Sequence, residues 1–346
     1  MEATKKNDFM NYLKGIACFG VVLVHVKLPN YVLDGVIQSV FRFAIPLFFM
    51  VSGYFCDTSD REKLEKRLPK KCKHILGISV IGCVYYFIFN VMIALFGDSH
   101  GTVEDVVKRV TSLFEPRKIA DWILFNQDPF INIMWFTFAL LYCYLLLWVI
   151  NRFDLYRKMF WSIPVLLGVH MILGNVLILF GVEVSKLYYR NFLFFGLPFL
   201  LFGVWLRRNQ ARVMEKLPVK ATAGFMLAGP LLSIAEWFVF GRRELFFGSI
   251  VFVLGAFVYA LHRPEAKQNS FITVIGEKYS LFVYIVHVSL ISVLDRVAYK
   301  ILPGGAFTLV YEYAKTFLIF GISVVGAYVF YLLVNTWKKR KGNKSA

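Results

Sequence analysis

Residues 74–97 read HILGISVIGCVYYFIFNVMIALFG, a run of 24 residues without Asp, Glu, Lys or Arg. About 20 such residues are enough to cross the hydrocarbon core of a bilayer as a helix. The rest of the 346-residue chain has the same character, with 58% hydrophobic and 18% charged residues, against about 25% charged residues in an ordinary soluble domain. The composition excludes a soluble, disordered or collagen-like protein and predicts a multi-spanning membrane protein.

The sequence predicts an all-α, polytopic integral membrane protein with about ten transmembrane helices. Alternating β-barrel patterning is absent, and the apolar runs are too long for barrel strands. The ten apolar stretches are 11–29, 36–56, 74–97, 132–150, 158–180, 190–206, 219–240, 245–262, 279–297 and 308–336.

The charge distribution predicts that both termini are cytoplasmic. With the N-terminus inside, 25 of the 39 Lys and Arg residues fall on cytoplasmic segments, as membrane proteins prefer. The net charge of +17 is explained by this bias, so we expect no nucleic-acid partner. Residues 57–73 are interpreted as a basic cytoplasmic loop, and 98–131 as an outer loop containing an amphipathic helix. No second domain is predicted, so 1–346 is expected to form a single one.

The first apolar stretch contains a lysine and a histidine whose spacing is close to a whole number of helical turns. Lys14 and His25 are eleven residues apart, which on an α-helix is about 20° beyond three turns and a rise of about 16 Å. Both would therefore lie on one face, Lys14 near the cytoplasmic surface and His25 deep in the membrane. This spacing suits a long donor with a charged head and a reactive tip, such as acyl-CoA. Lys14 would bind phosphate and His25 would act as a general base.

The same spacing has a simpler explanation that the residues alone leave open. Lys14 could extend to the interface, and His25 could be a hydrogen-bonded packing residue. Ten spans with buried charges also fit a transporter or exporter of a small polar molecule, although inverted repeats and broken helices are not evident.

Four segments, in order along the chain, resemble the membrane acyltransferase-3 family. They are Asn11–His25 (NYLKGIACFGVVLVH), Phe41–Phe55 (FRFAIPLFFMVSGYF), Trp135–Tyr142 (WFTFALLY) and Tyr279–His287 (YSLFVYIVH). The first has the family's basic residue, ten intervening residues and a His. The second ends on its Ser-Gly-Tyr element.

The resemblance implies a cell-membrane, multi-pass enzyme that transfers an acyl group, usually acetyl, from cytoplasmic acyl-CoA to a hydroxyl of a carbohydrate or another cell-envelope acceptor. It implies that His25 and Lys14 are catalytic and that Lys14 also binds the donor. Arg67 and Lys70 occupy the place of the family's Arg-x-x-Arg element and would bind CoA phosphates. No metal and no permanently bound cofactor are expected. Direct transfer and an acyl-histidine intermediate both remain open.

Three further polar residues are candidates for binding the acceptor. Arg42 and Arg190 lie near outer ends of apolar stretches, where their planar guanidinium groups suit glycan or phosphate groups. His287 lies within the late family-like segment. The alternative for the arginines is interfacial pairing, and for the histidine it is a packing role. The oligomeric state is not indicated.

Overall fold

The computed structural model describes residues 7–58, 60–96, 103–131, 133–302 and 304–342. These residues form helices and connecting turns, and no strand is found among them. The α-helices are α1 (Asp8–His25), α2 (Tyr31–Phe41), α3 (Ala44–Cys56), α4 (Arg61–Phe96), α5 (Val103–Ser112), α6 (Pro116–Phe125), α7 (Trp135–Arg152), α8 (Tyr156–Met171), α9 (Leu197–Arg208), α10 (Gln210–Lys216), α11 (Val219–Phe240), α12 (Phe247–His262), α13 (Phe271–Val274), α14 (Ser280–Ile301) and α15 (Gly305–Gly342). A π-helical turn, Ile275–Tyr279, joins α13 to α14 and makes Phe271–Ile301 one helical segment.

Seven helical segments within the described residues are long and apolar enough to cross a membrane. They are Tyr31–Cys56, Arg61–Phe96, Trp135–Arg152, Tyr156–Phe180, Val219–Phe240, Phe271–Ile301 and Gly305–Lys338. Helix α12 is apolar but has only 16 residues, and α9 has 12. The all-helical, multi-pass prediction is confirmed, whereas the count of ten and the orientation of the termini stay predictions.

The interpretation of 57–73 as a loop is wrong, because α4 begins at Arg61 and continues through this segment. Leu64 and Leu68, four residues apart, are fully buried and give the basic stretch an apolar helical stripe. Asp60 starts the helix by accepting a hydrogen bond from Lys63 N at 3.1 Å. The Lys and Arg residues therefore lie on an extension of a membrane helix.

The predicted amphipathic helix of the 98–131 segment corresponds to α5, and a second short helix, α6, follows it. Glu104 and Lys108 form an exposed ion pair on α5 with a distance of 3.0 Å. Leu113, just after the helix, is buried. The amphipathic helix is thus present, and residues 98–102 lie outside the described part of the chain.

The chain forms two compact units, where the sequence predicted a single domain over 1–346. Unit 1 comprises Met1–Ala44, Val219–Trp237 and Gly248–Ala346, and unit 2 comprises Ile45–Pro218 and Phe238–Phe247. The core of unit 1 includes Cys18, Val22 and Ile319. In unit 2, α3 and α9 pack closely through Gly53, whose missing side chain makes room for the carbonyl group of Leu200.

Candidate functional site

Helix α1 lies directly against the segment Phe271–Ile301 within unit 1. A methyl group on Gly15 would collide with the carbonyl oxygen of Ile272, and one on Gly276 would collide with that of Asn11. Only glycine lets the two backbones come this close. Further along, the Cys18 thiol lies 3.9 Å from the carbonyl oxygen of Ser280. Several polar residues of α1, among them Lys14, Cys18 and His25, therefore lie close to this segment.

Lys14 lies beside the π-helical turn that follows α13. Its side chain is half-buried, and Nζ donates to Asn11 Oδ1 at 3.4 Å. The negative charge of Glu277, which belongs to the π-helical turn, acts on the ammonium group. π-helical turns are rare in proteins, and those that do occur are often found at functional sites. The Lys14 ammonium group is thus partly buried, and it interacts electrostatically with the exposed carboxylate of Glu277.

His25 is the last residue of α1, and the chain becomes extended at Val26. The expected span 11–29 therefore ends four residues early, and the His25 side chain is exposed at the helix end instead of deep within the helix. Nδ1 lies 2.8 Å from the carbonyl oxygen of Val21. Because a carbonyl oxygen only accepts, Nδ1 carries the proton and Nε2 of the neutral ring keeps a lone pair.

His287, on α14, faces His25 across the helix contact. The two imidazole centroids are 4.9 Å apart, and the rings are at 72° to each other. Nδ1 of His287 lies 2.8 Å from the Tyr284 oxygen and 3.1 Å from the Val283 oxygen, so it too carries the proton. Its Nε2 is buried and has no hydrogen-bond partner among the described residues. The two imidazole rings thus lie close together, and Nε2 of each neutral ring can accept a hydrogen bond.

Asp34, on α2, holds the turn that follows His25. Its carboxylate is fully buried and accepts from Leu28 N at 2.9 Å. Gln38 Nε2 donates to both oxygens of the same carboxylate, at 3.0 and 2.9 Å. Charge-assisted hydrogen bonds of this kind are short and strong. Asp34 therefore fixes the place where α1 ends and with it the position of the His25 backbone.

Asp34→Asn is expected to lower the free energy of unfolding by about 1–3 kcal/mol, because it replaces a buried group that accepts through both oxygens by an amide that can accept through only one. Glu104→Gln, which removes a charge from an exposed pair, is the matched control and is expected to change it by less than about 0.5 kcal/mol. Thermal unfolding of the purified variants measures both. Equal melting temperatures for the two variants would show that Asp34 does not fix this turn.

The remaining predicted site residues are dispersed. Arg42 follows α2 in unit 1 and is half-buried. Arg67, Lys70 and Arg190 belong to unit 2. Nη1 of Arg67 donates to the carbonyl oxygen of Cys56 at 3.1 Å, at the end of α3, whereas Lys70 is exposed.

Arg190 is held by its own neighbours in unit 2. Its Nη2 donates to Gln127 Oε1 at 3.1 Å, and its Nη1 is 3.7 Å from a carboxylate oxygen of Glu244. Its guanidinium carbon lies 5.1 Å from the centre of the Trp135 ring. These contacts are the kind of pairing that the alternative interpretation of Arg190 predicts, and the cation–π contact connects it to Trp135, the first residue of α7.

A family model described as an acyltransferase domain matches residues 7–336. The match includes α1 with Lys14 and His25, the segment with His287, and residues of both units. No curated protein and no solved structure gives a significant match. Because the matched range covers nearly the whole chain, the protein belongs to the acyltransferase-3 family and is a multi-pass membrane acyltransferase.

Proposed function

We propose that the protein transfers an acyl group, in the simplest case acetyl, from cytoplasmic acyl-CoA to a hydroxyl group of a carbohydrate or another cell-envelope acceptor, with His25 as the general base. The observation that carries the proposal is the hydrogen bond between His25 Nδ1 and the Val21 carbonyl oxygen. It fixes the tautomer in which Nε2 is basic. A fixed tautomer and ring orientation are what a histidine base requires.

The reaction balances without a further reactant. The acceptor oxygen attacks the thioester carbon and forms the new ester C–O bond as its proton moves to His25 Nε2. The C–S bond breaks, and the thiolate of CoA leaves and takes up that proton. The thioester is already activated, so no nucleotide hydrolysis is needed. His287 is proposed to contact the acceptor as well, because its ring centre lies 4.9 Å from that of His25 and Nε2 of its neutral ring can accept a hydrogen bond.

Lys14 would bind the phosphate end of the donor. Eleven residues of helix place it about 16 Å along the axis from His25, a distance that a flexible pantetheine arm can span. Burial of Lys14 disfavours its charged form, and the negative charge of Glu277 acts in the opposite sense. Arg67 and Lys70 remain proposed phosphate ligands on the basic end of α4, and Lys70 contributes as a point charge.

Lys14→Met is expected to raise the KM for acetyl-CoA about tenfold with a smaller effect on kcat, because a lost charge-assisted contact to a non-reacting phosphate weakens binding of the ground state and the transition state alike. Glu277→Gln is the matched control, since it removes the internal partner of Lys14 but no donor contact. Steady-state kinetics of acyl transfer gives both constants. If the two variants have the same KM, Lys14 has only an ion-pairing role.

The acceptor would approach from the opposite side of the membrane. Arg42 is proposed to bind it in unit 1, since it lies half-buried where α2 ends. Arg190 stays a proposed acceptor residue in unit 2, where its contact with Glu244 would have to be shared with the ligand. The cell membrane is the proposed location, and acyl-CoA is a substrate, with no permanently bound cofactor.

The proposal is tested with the purified full-length chain in lipid nanodiscs, supplied with acetyl-CoA labelled in the acetyl group and with a mixture of cell-envelope glycans. We expect acceptor-dependent release of CoA together with label in an alkali-labile ester. The alternative, a transporter of a small polar molecule, is tested in proteoliposomes. Flux of the acceptor without CoA release would favour transport and contradict the proposed transfer.

A further inference from the structure

A cavity of about 550 Å³ lies in unit 2, between the segment after α8 and the turn between α11 and α12. Its lining includes Glu183, Lys186, Tyr189, Arg242, Arg243 and Glu244. Glu183 and Lys186 are exposed at the rim, whereas Tyr189 is buried. The volume is in the range of small-molecule binding sites, which is about 300–1,000 Å³.

The number of basic side chains that line this cavity is not explained by membrane topology. Both segments are predicted to lie on the outer side, where membrane proteins carry few Lys and Arg residues. Lys186, Arg242 and Arg243 nevertheless line one cavity there. Ion pairing with Glu244 accounts for Lys186, and binding of an anionic group would account for a further arginine in the same cavity.

Some of the charged groups of the cavity form ion pairs with each other, and the guanidinium group of Arg243 is held in a fixed orientation. Glu244 binds Lys186 Nζ at 2.8 Å and Arg190 at 3.7 Å. Nε of Arg243 donates to the carbonyl oxygen of Phe240 at 2.8 Å, which fixes the plane of its guanidinium group. Its two terminal nitrogens have no acceptor among the residues that the structure describes. A planar pair of donors held in this way matches a carboxylate or phosphate bidentately.

We propose that this cavity binds an acidic saccharide unit of the acceptor. Arg243 binds its carboxylate or phosphate, and the carboxylate of Glu183 accepts hydrogen bonds from its hydroxyl groups. A lining with both donors and acceptors fits a polyhydroxylated anion better than a bare inorganic anion, which would fill only part of the volume. The inference rests on the proposed function, since it names the class of acceptor for that transfer.

The test is equilibrium binding to the full-length chain in nanodiscs of zwitterionic lipid. The probes are a uronic-acid tetrasaccharide and the same tetrasaccharide with its carboxyl groups reduced to alcohols. We expect preferential binding of the acidic form and a weakening of about tenfold or more in Arg243→Ala. Arg243→Lys, which keeps the charge but not the bidentate geometry, should be intermediate. Arg117→Ala, an exposed outer-side arginine of α6, is the control and should bind normally.

Equal affinity for the two tetrasaccharides, or normal binding by Arg243→Ala, would overturn the inference. Displacement of the acidic tetrasaccharide by an equal concentration of inorganic phosphate would overturn the saccharide assignment as well. A His25→Asn variant separates this inference from the proposed function, because it should bind the tetrasaccharide normally. If that variant still transfers acetyl groups, the proposed base is wrong, whatever the binding result.

Discussion

His25→Asn is expected to lower the rate of acetyl transfer by about 10²–10⁴-fold, the contribution of a positioned general base. The asparagine amide can still donate to the Val21 carbonyl oxygen, as Nδ1 of His25 does. The variant therefore keeps the local hydrogen bond and loses only the basic nitrogen. The rate is measured as CoA release and ester formation with labelled acetyl-CoA at saturating donor.

The control is His74→Asn, which changes an exposed histidine of α4 and is expected to leave the rate unchanged. Both variants should keep the melting temperature of the parent protein, so that a lost rate is not a lost fold. Normal turnover in a folded His25→Asn protein would remove His25 from the mechanism, and with it the interpretation of the pair with His287.

Gly276→Ala is the second substitution with a large expected effect. Its methyl group would collide with the carbonyl oxygen of Asn11, a backbone atom that cannot move alone. Helix α1 would have to shift away from the segment Phe271–Ile301. Forcing a methyl into a packed contact costs about 1–3 kcal/mol of stability, and displacement of catalytic groups by about 1 Å can cost about 10²-fold in rate.

Gly224→Ala is the matched control, because a methyl group at this position of α11 would meet nothing within 4 Å. It is expected to be neutral or to stabilise the helix by up to about 1 kcal/mol, since alanine has the higher helix propensity. Thermal unfolding and transfer rate are measured for both variants. Equal stability and rate in the two would mean that the close contact between α1 and the segment Phe271–Ile301 does not position the site.

Much of the helical architecture could be predicted from the sequence, because long apolar runs have few other ways to satisfy their backbone in a membrane. In 57–73, the density of charge predicts a loop, whereas the spacing of the leucines predicts a helix. Leu64 and Leu68 are spaced as one helical stripe, but seven Lys and Arg residues around them hid that pattern. The end of α1 at His25 is not evident from composition, since Val26 and Leu28 keep the stretch mostly apolar on either side of Lys27.

The candidate site was only partly predictable. The spacing of Lys14 and His25 is local and could be predicted, whereas Glu277 lies far away in the sequence, between the apolar stretches 245–262 and 279–297. Asp34 is close to His25 in the chain, but its role depends on the turn that brings Leu28 N to its carboxylate. The local sequence around Arg243 does not indicate a binding role, because the cavity that this residue lines is formed by two separate segments.

The most direct test of the central claim is a structure of the protein with a non-hydrolysable acetyl-CoA analogue and an acceptor saccharide. We predict phosphate at Lys14, the acceptor hydroxyl within about 2.6–3.2 Å of His25 Nε2, and the carbonyl carbon of the analogue within about 3.5 Å of that hydroxyl. A carbonyl group bound away from His25, or an imidazole turned toward lipid, would contradict the account.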